Sequence, residues 1–254
     1  MLEVVDTHSH LDEMPDLEDA LHRAREAGVV SIIAVGSSHQ SNQKTMEIWQ
    51  NYAGFVYPAL GLHPWELGKL DPTDIETTLQ YIEDRISHIV AIGEIGLDYD
   101  KRVIKVTSKD LQKDILRRLL VLATRYAKPV SVHSRYAWKD TFDLVREAGT
   151  EKVVFHWFTG FSSVLKEILQ AGYFISATPA IEYHEEHRRA VKETPVERLL
   201  LETDSPVMYG RDNKYRSQPA DVLRSLKAAA ALKEIEEPAL ARLTTSNAVE
   251  LFGL

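Results

Sequence analysis

The sequence predicts an α/β fold: one (β/α)8 barrel with an extra C-terminal helix, spanning residues 1–254 as a single domain. Three observations lead there. Strand-like and helix-like segments alternate from end to end, as parallel strands joined by helical crossovers require. The strand segments are short runs apolar on both faces, which marks strands covered by helices on one side and a packed interior on the other. They count to eight strand–helix units, the number that closes a barrel, in a chain of 254 residues. An open doubly wound sheet is the competing arrangement, but no Gly-x-Gly-x-x-Gly turn follows the first strand.

Leu2, Val4 and Val5 form the first strand, which runs into Asp6-Thr7-His8-Ser9-His10-Leu11. Side chains two apart on a strand share a face, so Asp6, His8 and His10 are expected to point the same way. Leu17, Ala20, Leu21 and Ala24 have helical spacing, and Gly28 stops that helix. Val29 to Val35 is the second strand, followed by a helix through Met46, Ile48 and Trp49. Pro58 opens a third strand, Ala59 to Leu62, because a first strand position tolerates the missing N–H. A helix over Asp74 to Arg85 and a strand over Ile89 to Ile92 follow.

Lys109 to Tyr126 is a long helix, and Pro129 to Val132 is the fifth strand. A helix through Phe142, Leu144 and Val145 stops at Gly149, before a strand over Lys152 to Phe155. Val164 to Ala171 is a helix and Tyr173 to Ser176 a strand. A polar helix, Glu185 to Lys192, precedes the eighth strand, Arg198 to Leu201. Pro219 opens a helix reaching Leu232, and a last helix spans Pro238 to Leu251.

Composition narrows the function. The formal net charge is -8, so the chain is not a general coat for nucleic acid, which needs positive charge. A polyanionic substrate would have to be held by metal ions and local basic loops. There is no Cys, hence no thiolate metal site or cysteine nucleophile. No apolar run is long enough to span a membrane, and no signal peptide is evident, so a cytoplasmic protein is expected.

The polar residues follow a rule. His8 and His10, His63, Glu94, His133, His156 and Asp204 each fall where a strand is expected to end. In a barrel those ends meet at one rim, where barrel active sites sit. Histidines with Asp and Glu, and no Cys, suit divalent zinc, manganese or magnesium. There are more donors than one tetrahedral ion takes, and two ions bridged by a carboxylate use them better. Glu94 is the expected bridge, because Gly93 and Gly96 allow the backbone to approach closely. Asp204 is placed to bind one ion and to orient or deprotonate the attacking water. Glu202 and Asp6 are read as supporting carboxylates, Asp6 orienting a ligand histidine and Asp98 the loop that holds Glu94. His22, His39, His88, His184 and His187 are read as solvated. Trp65, Tyr99, Tyr136, Trp138, Trp157, Phe158 and Tyr209 belong to the same rim. With Lys101, Arg102, Lys105, Arg135, Arg211, Lys214 and Arg216 they could stack bases and bind phosphate.

Taken in order, Asp6-Thr7-His8-Ser9-His10-Leu11, Gly61-Leu62-His63-Pro64, Gly93-Glu94-Ile95-Gly96-Leu97-Asp98-Tyr99, Pro129-Val130-Ser131-Val132-His133-Ser134-Arg135 and Glu202-Thr203-Asp204-Ser205-Pro206 resemble the motifs of the TatD family of metal-dependent deoxyribonucleases. The resemblance covers nearly the whole chain. It implies an amidohydrolase-type TIM barrel with two divalent ions (Mg, Mn or Zn) held by His8, His10, Glu94, His133, His156 and Asp204. It also implies hydrolysis of DNA phosphodiester bonds, as a 3′-to-5′ exonuclease acting on single strands or ends. Asp204 and Glu94 are the expected catalytic residues, and His63, Arg135 and Trp157 the expected substrate contacts. A monomer is expected. An amidohydrolase acting on a small amide or ester is the alternative activity. The chain departs from the family pattern at Trp157, where the family has Cys, at Leu119, where it has Gln, and at Arg216-Ser217-Gln218-Pro219.

Overall fold

A computed structural model describes residues 2–254. Eight parallel strands form one sheet in sequence order: β1 (Val4–Ser9), β2 (Val29–Val35), β3 (Val56–Leu60), β4 (Ala91–Asp98), β5 (Val130–Arg135), β6 (Val153–Phe155), β7 (Phe174–Ala177) and β8 (Leu199–Leu201). The long connecting helices are α1 (Leu17–Ala27), α2 (His39–Asn51), α4 (Pro72–Asp84), α6 (Lys109–Arg125), α7 (Trp138–Glu147), α8 (Ser162–Gln170), α9 (Glu185–Glu193) and α10 (Val222–Lys233). The C-terminal helix is α11 (Glu237–Phe252). Two single-turn helices, α3 (Pro64–Leu67) and α5 (Lys101–Ile104), and a small hairpin, β9 (Met208–Tyr209) with β10 (Tyr215–Arg216), are too short to leave a periodic signal in the sequence.

The strands are apolar on both faces because each face packs on something different. Outward residues such as Ile32, Leu60, Ile92, Val130 and Leu199 join the helices in one large core. Val5, Ile33, Ala59, Ala91, Val154, Phe174 and Leu200 form a separate core with Ala248, Leu251 and Phe252 of α11. Thr245 of α11 donates to the Glu3 carbonyl and Asn247 to the Val196 and Leu199 carbonyls, at the starts of β1 and β8, so α11 plugs that end and leaves the other end to polar side chains. Among the described residues, no helix is long and apolar enough to cross a membrane.

The sheet closes through the loop after β8. The Asp204 N–H donates to the His8 carbonyl at 2.9 Å, and the His10 N–H donates to the Ser205 carbonyl at 2.8 Å. Ser9 and Ser205 form a parallel bridge there. Closure therefore binds the segment bearing His8 and His10 to the segment bearing Asp204.

Four strands differ from the sequence reading. β4 continues through Glu94 to Asp98, with a register shift against β5 between Ile92 and Ile95. β5 likewise continues through His133 to Arg135. Their polar residues are buried against partners in the rim, so polarity did not end the strands. β3 begins at Val56, with Pro58 inside it. The Pro58 carbonyl accepts from the Val90 N–H at 2.9 Å. Pro58 thus lacks a donor on the side where β4 has only begun. In β1 the register against β2 shifts between Asp6 and Ser9. Simple alternation fails there, and Asp6 turns towards the segment after β8 while His8 faces the rim cluster.

His187 also departs from expectation. It is fully buried on the inner face of α9, beside Ala190 and Val191. Its Nε2 accepts from the Thr178 N–H at 3.1 Å, and its Nδ1 lies 3.1 Å from the Phe158 carbonyl. That pattern needs a neutral ring with the proton on Nδ1. The polar composition of α9 hid this inner face. His22 and His184 are exposed at 71% and 41% of the side chain, as a solvated role requires.

Burial pulls the His187 pKa down to about 4. The unfolded chain binds this proton at higher pH than the folded one, so His187 adds stability above about pH 6.5 that is lost as the pH falls towards 4, about 3 kcal/mol in all. Urea titrations of the wild type and His187→Gln between pH 7 and 4.5 should show a shallower pH slope for the variant. Equal slopes would remove His187 from the acid sensitivity.

Candidate metal centre

The rim end of the barrel gathers five of the ten histidines around one carboxylate. Glu94 is almost fully buried at its centre. One oxygen, Oε2, lies 3.5 Å from His8 Nε2 and 3.4 Å from His10 Nε2. The other, Oε1, lies 2.8 Å from His133 Nδ1, 2.8 Å from His156 Nε2 and 3.4 Å from His63 Nε2. The Asp204 Oδ1 faces the first pair, 3.6 Å from His8 Nε2 and 3.4 Å from His10 Nε2. The two carboxylate oxygens of Glu94 are thus shared between two donor groups.

Backbone geometry makes this proximity possible. A Cβ at Gly96 would lie 1.9 Å from the His133 carbonyl oxygen, and one at Gly93 would lie 2.7 Å from the Ser131 Cβ. Only glycine on both sides lets β4 bring Glu94 so close to β5. Asp204 and Trp157 have left-handed backbones, with φ of 48° and 40°. Such angles are costly for residues with side chains and persist where surrounding bonds hold them. The Asp204 N–H is held by the His8 carbonyl. The Trp157 N–H donates to Glu202 Oε1 at 2.9 Å and to Ser176 Oγ at 3.2 Å.

The carboxylates beneath the rim fix the rings. Glu202 Oε2 lies 3.4 Å from His156 Nδ1 and 4.0 Å from His8 Nδ1, while Oε1 accepts from Ser176 Oγ at 2.5 Å. Asp98 Oδ2 lies 3.1 Å from His133 Nε2 and accepts from Trp65 Nε1 at 2.5 Å. Arg135 Nε reaches the same oxygen at 3.0 Å. Gln112 holds Asp98 in turn: Oε1 accepts from the Asp98 N–H at 2.8 Å and Nε2 donates to the Asp98 carbonyl at 3.1 Å. Asp6 does not touch an imidazole. Its oxygens accept from the Thr203 N–H at 2.9 Å and the Thr203 hydroxyl at 2.6 Å. It fastens β1 to the segment carrying Asp204, which corrects its expected role of orienting a histidine.

The charges follow from these contacts. Burial works to raise the Glu94 carboxyl, but the His63 and His156 rings, with bonds from His10 and His133, hold it well below the carboxylate range. Burial likewise opposes ionisation of Glu202, yet His156 brings it down to about 2. Burial pushes the Asp6 carboxyl well up, and the Thr203 bonds only partly offset this. The His8 and His63 rings are lowered by burial. For His10, His133 and His156, facing carboxylates outweigh burial and raise the rings.

The donor set suits a divalent cation. His8 Nε2 is buried and has no hydrogen-bond partner, although two carboxylate oxygens lie within 3.6 Å of it. His8, His10 and Asp204 offer three donor atoms within reach of one ion, and His63, Glu94 and His133 offer another three. A third such group, His8, His156 and Glu202, lies below the rim. Neutral imidazole with carboxylate oxygen is a donor set that zinc and manganese accept.

A cleft of about 1020 Å³ opens over the cluster. It is lined by His10, His63, Glu94, His133, His156 and Asp204, and by Arg135 and Trp157. Trp65, Tyr136 and Trp138 line it as well. Phe158 and Tyr209, expected on the rim, are fully buried. Phe158 packs edge-on against Phe155 at 6.3 Å, and the Tyr209 hydroxyl donates to the Thr203 carbonyl at 2.9 Å. Lys101, Arg102, Lys105, Arg211, Lys214 and Arg216 do not line the cleft. Arg102 is paired with Asp100 at 3.0 Å, and Arg211 donates to the Tyr183 carbonyl at 2.7 Å. The sequence reading missed Phe161, Arg189, Glu13, Glu66 and Glu186, which do line it. Phe161 stands five residues after His156, in the loop already read as rim, and that position was the available signal.

A (β/α)8 barrel with a histidine–carboxylate cluster at its rim has the organisation of a metal-dependent hydrolase. The chain belongs to the TatD related DNase family, whose model matches residues 5–253. It is 37% identical to Deoxyribonuclease TATDN3 of Homo sapiens over 98% of this chain and 94% of that one. It is 34% identical to the metal-dependent hydrolase YabD of Bacillus subtilis over 98% of both chains. The crystal structure of YjjV, a TatD homologue from Escherichia coli K12, superposes with a TM-score of 0.89 at 29% identity, covering 100% of this chain and 99% of that one. The chain is thus a TatD-family metal-dependent hydrolase.

The Asp6 tie gives a test. Asp6→Ala leaves a buried N–H and a buried hydroxyl of Thr203 without their acceptor, which costs about 1–3 kcal/mol for each unpaired group. Chemical denaturation of this variant should show a loss of at least ~2 kcal/mol. A loss below ~0.5 kcal/mol, the range of ordinary surface changes, would refute the tie.

Proposed function

We propose that this barrel hydrolyses phosphodiester bonds in DNA, as a 3′-to-5′ exonuclease acting on unpaired ends, with two divalent ions at the rim. His8, His10, Asp204 and Glu94 Oε2 would hold one ion. His133, His156 and Glu94 Oε1 would hold the other, with His63 beside them. The observation that carries the reading is the division of the Glu94 oxygens between two donor groups. Divalent ions bound there would lower the pKa of water towards ~7 and stabilise charge on phosphoryl oxygens.

The chain's own groups do the rest. Glu94 spans the two halves of the centre and keeps them at a fixed spacing. Asp204 stands at the cleft, where its carboxylate orients the attacking water and takes its proton. Attack in line on phosphorus breaks one P–O ester bond, and the departing oxygen takes up a proton. Arg135, Trp157 and His63 line the cleft beside the reacting centre and are assigned to substrate contact. The relatives named as deoxyribonucleases support DNA as the substrate. Hydrolysis of a small amide or ester would call for a closed apolar pocket. The open, charge-rimmed cleft supports a strand end instead.

Asp204→Asn should lower kcat on single-stranded DNA by a factor of about 10² to 10⁴, the usual range for a positioned base, with an unchanged fold by circular dichroism. Full activity would refute the role of Asp204. Metal analysis of the purified protein, joined to a panel of labelled DNA, RNA and small esters with Mg, Mn and Zn, tests the substrate. Loss of label from the 3′ end first is the expected result, and no DNA cleavage with any metal would sink the proposal.

A further inference from the structure

One wall of the cleft is an exposed aromatic shelf. Tyr136 is 61% exposed and Phe161 66% exposed, both next to the metal centre. Trp138 lies between them, edge-on to Tyr136 at 5.8 Å and to Phe161 at 5.3 Å. Its indole Nε1 is buried without a hydrogen-bond partner. Apolar surface of this size facing water is unfavourable, and a contiguous patch usually marks a binding site.

The shelf is held in place rather than loosely exposed. Tyr136 has a left-handed backbone, φ 57°, directly after β5. Gly160 packs its backbone on the shelf, since a Cβ there would lie 2.5 Å from the Trp138 Cγ. The Arg189 guanidinium donates to the Gly160 carbonyl and to the Ser162 hydroxyl, on either side of Phe161. Arg189 is therefore a positioning residue for Phe161.

Electrostatics offer little grip on a phosphate chain here. Glu13, Glu66 and Glu186 share the cleft, Arg189 is engaged with the shelf, and Arg135 is bonded to Asp98. Away from the metal centre and Arg135, a strand has to be held by something other than charge. Nucleobases stack on exposed aromatic rings whatever their sequence.

We propose that the Tyr136–Trp138–Phe161 shelf is a nucleobase platform, which stacks an unpaired base next to the scissile phosphate of a strand end. This rests on the nuclease reading above. The platform makes recognition depend on the base face and only weakly on the number of phosphates.

The test compares the wild type with Tyr136→Ala/Phe161→Ala, both residues being exposed enough for the variant to fold. Two single-stranded oligonucleotides serve as probes, one with normal terminal residues and one with abasic tetrahydrofuran residues at the last two positions. The variant should raise KM about tenfold or more on the normal strand, the factor expected when a base loses its stacking partner. On the abasic strand it should change KM by less than about twofold, because no base is there to lose. Quenching of a terminal 2-aminopurine on binding reads stacking without turnover, and the variant should abolish it. Quenching without cleavage would keep the platform and discard the nuclease reading. Cleavage with equal KM shifts on both strands, or wild-type quenching that the variant retains, would overturn the platform.

Discussion

The buried Glu94 carboxylate, enclosed by imidazoles, is the interaction on which the rest of this structure depends. Its two oxygens contact five rings, drawn from β1, β4's neighbour β5 and the loops after β1, β3 and β6. An isolated carboxylate in such a place would be expensive to ionise, because burial takes away its water. The rings compensate, and they can do so only if every strand end is placed correctly. The centre therefore demands an accurate barrel.

The barrel meets that demand with layered support. The apolar interior ends in the α11 plug at the bottom, and carboxylates take over towards the top. Glu202 sits below His156 and His8, Asp98 sits beside His133, and Asp6 ties β1 to the segment after β8. A ring with one nitrogen fixed presents the other in a defined direction, which a donor atom for a cation needs. The closing bonds of the sheet run through His8, His10 and Asp204 themselves, so closing the barrel also assembles half of the centre.

Above the centre, the cleft mixes acidic and aromatic residues, and its arginines are engaged with neighbouring groups. This is an unusual surface for an electrostatic grip on nucleic acid, and it agrees with the net charge of -8. Of the basic residues that stand near the rim in sequence, Arg102 pairs with Asp100 in its own loop and Arg211 donates to the Tyr183 carbonyl of another. On the proposed reading, recognition falls to the ring faces and to the metal centre itself.

The fold class was legible in the sequence because both of its determinants are local. Apolar runs bounded by helices define strands, and their count defines a barrel. The rim residues His8, His10, His63, Glu94, His133, His156 and Asp204 were legible for the same reason, since each lies in a strand or shortly after one. What the tertiary structure decided depended on partners far along the chain. Asp6 left the face of His8 because β1 shifts register and Thr203 offers two donors. His187 went inside because the Thr178 N–H and the Phe158 carbonyl satisfy both ring nitrogens. Phe158 and Tyr209 were covered while Phe161 stayed exposed, and nothing in the side chains themselves separates these aromatic residues. Local pattern says which residues can reach a rim. Only packing across the barrel says which of them face the cleft, because that choice is made by neighbours distant in sequence.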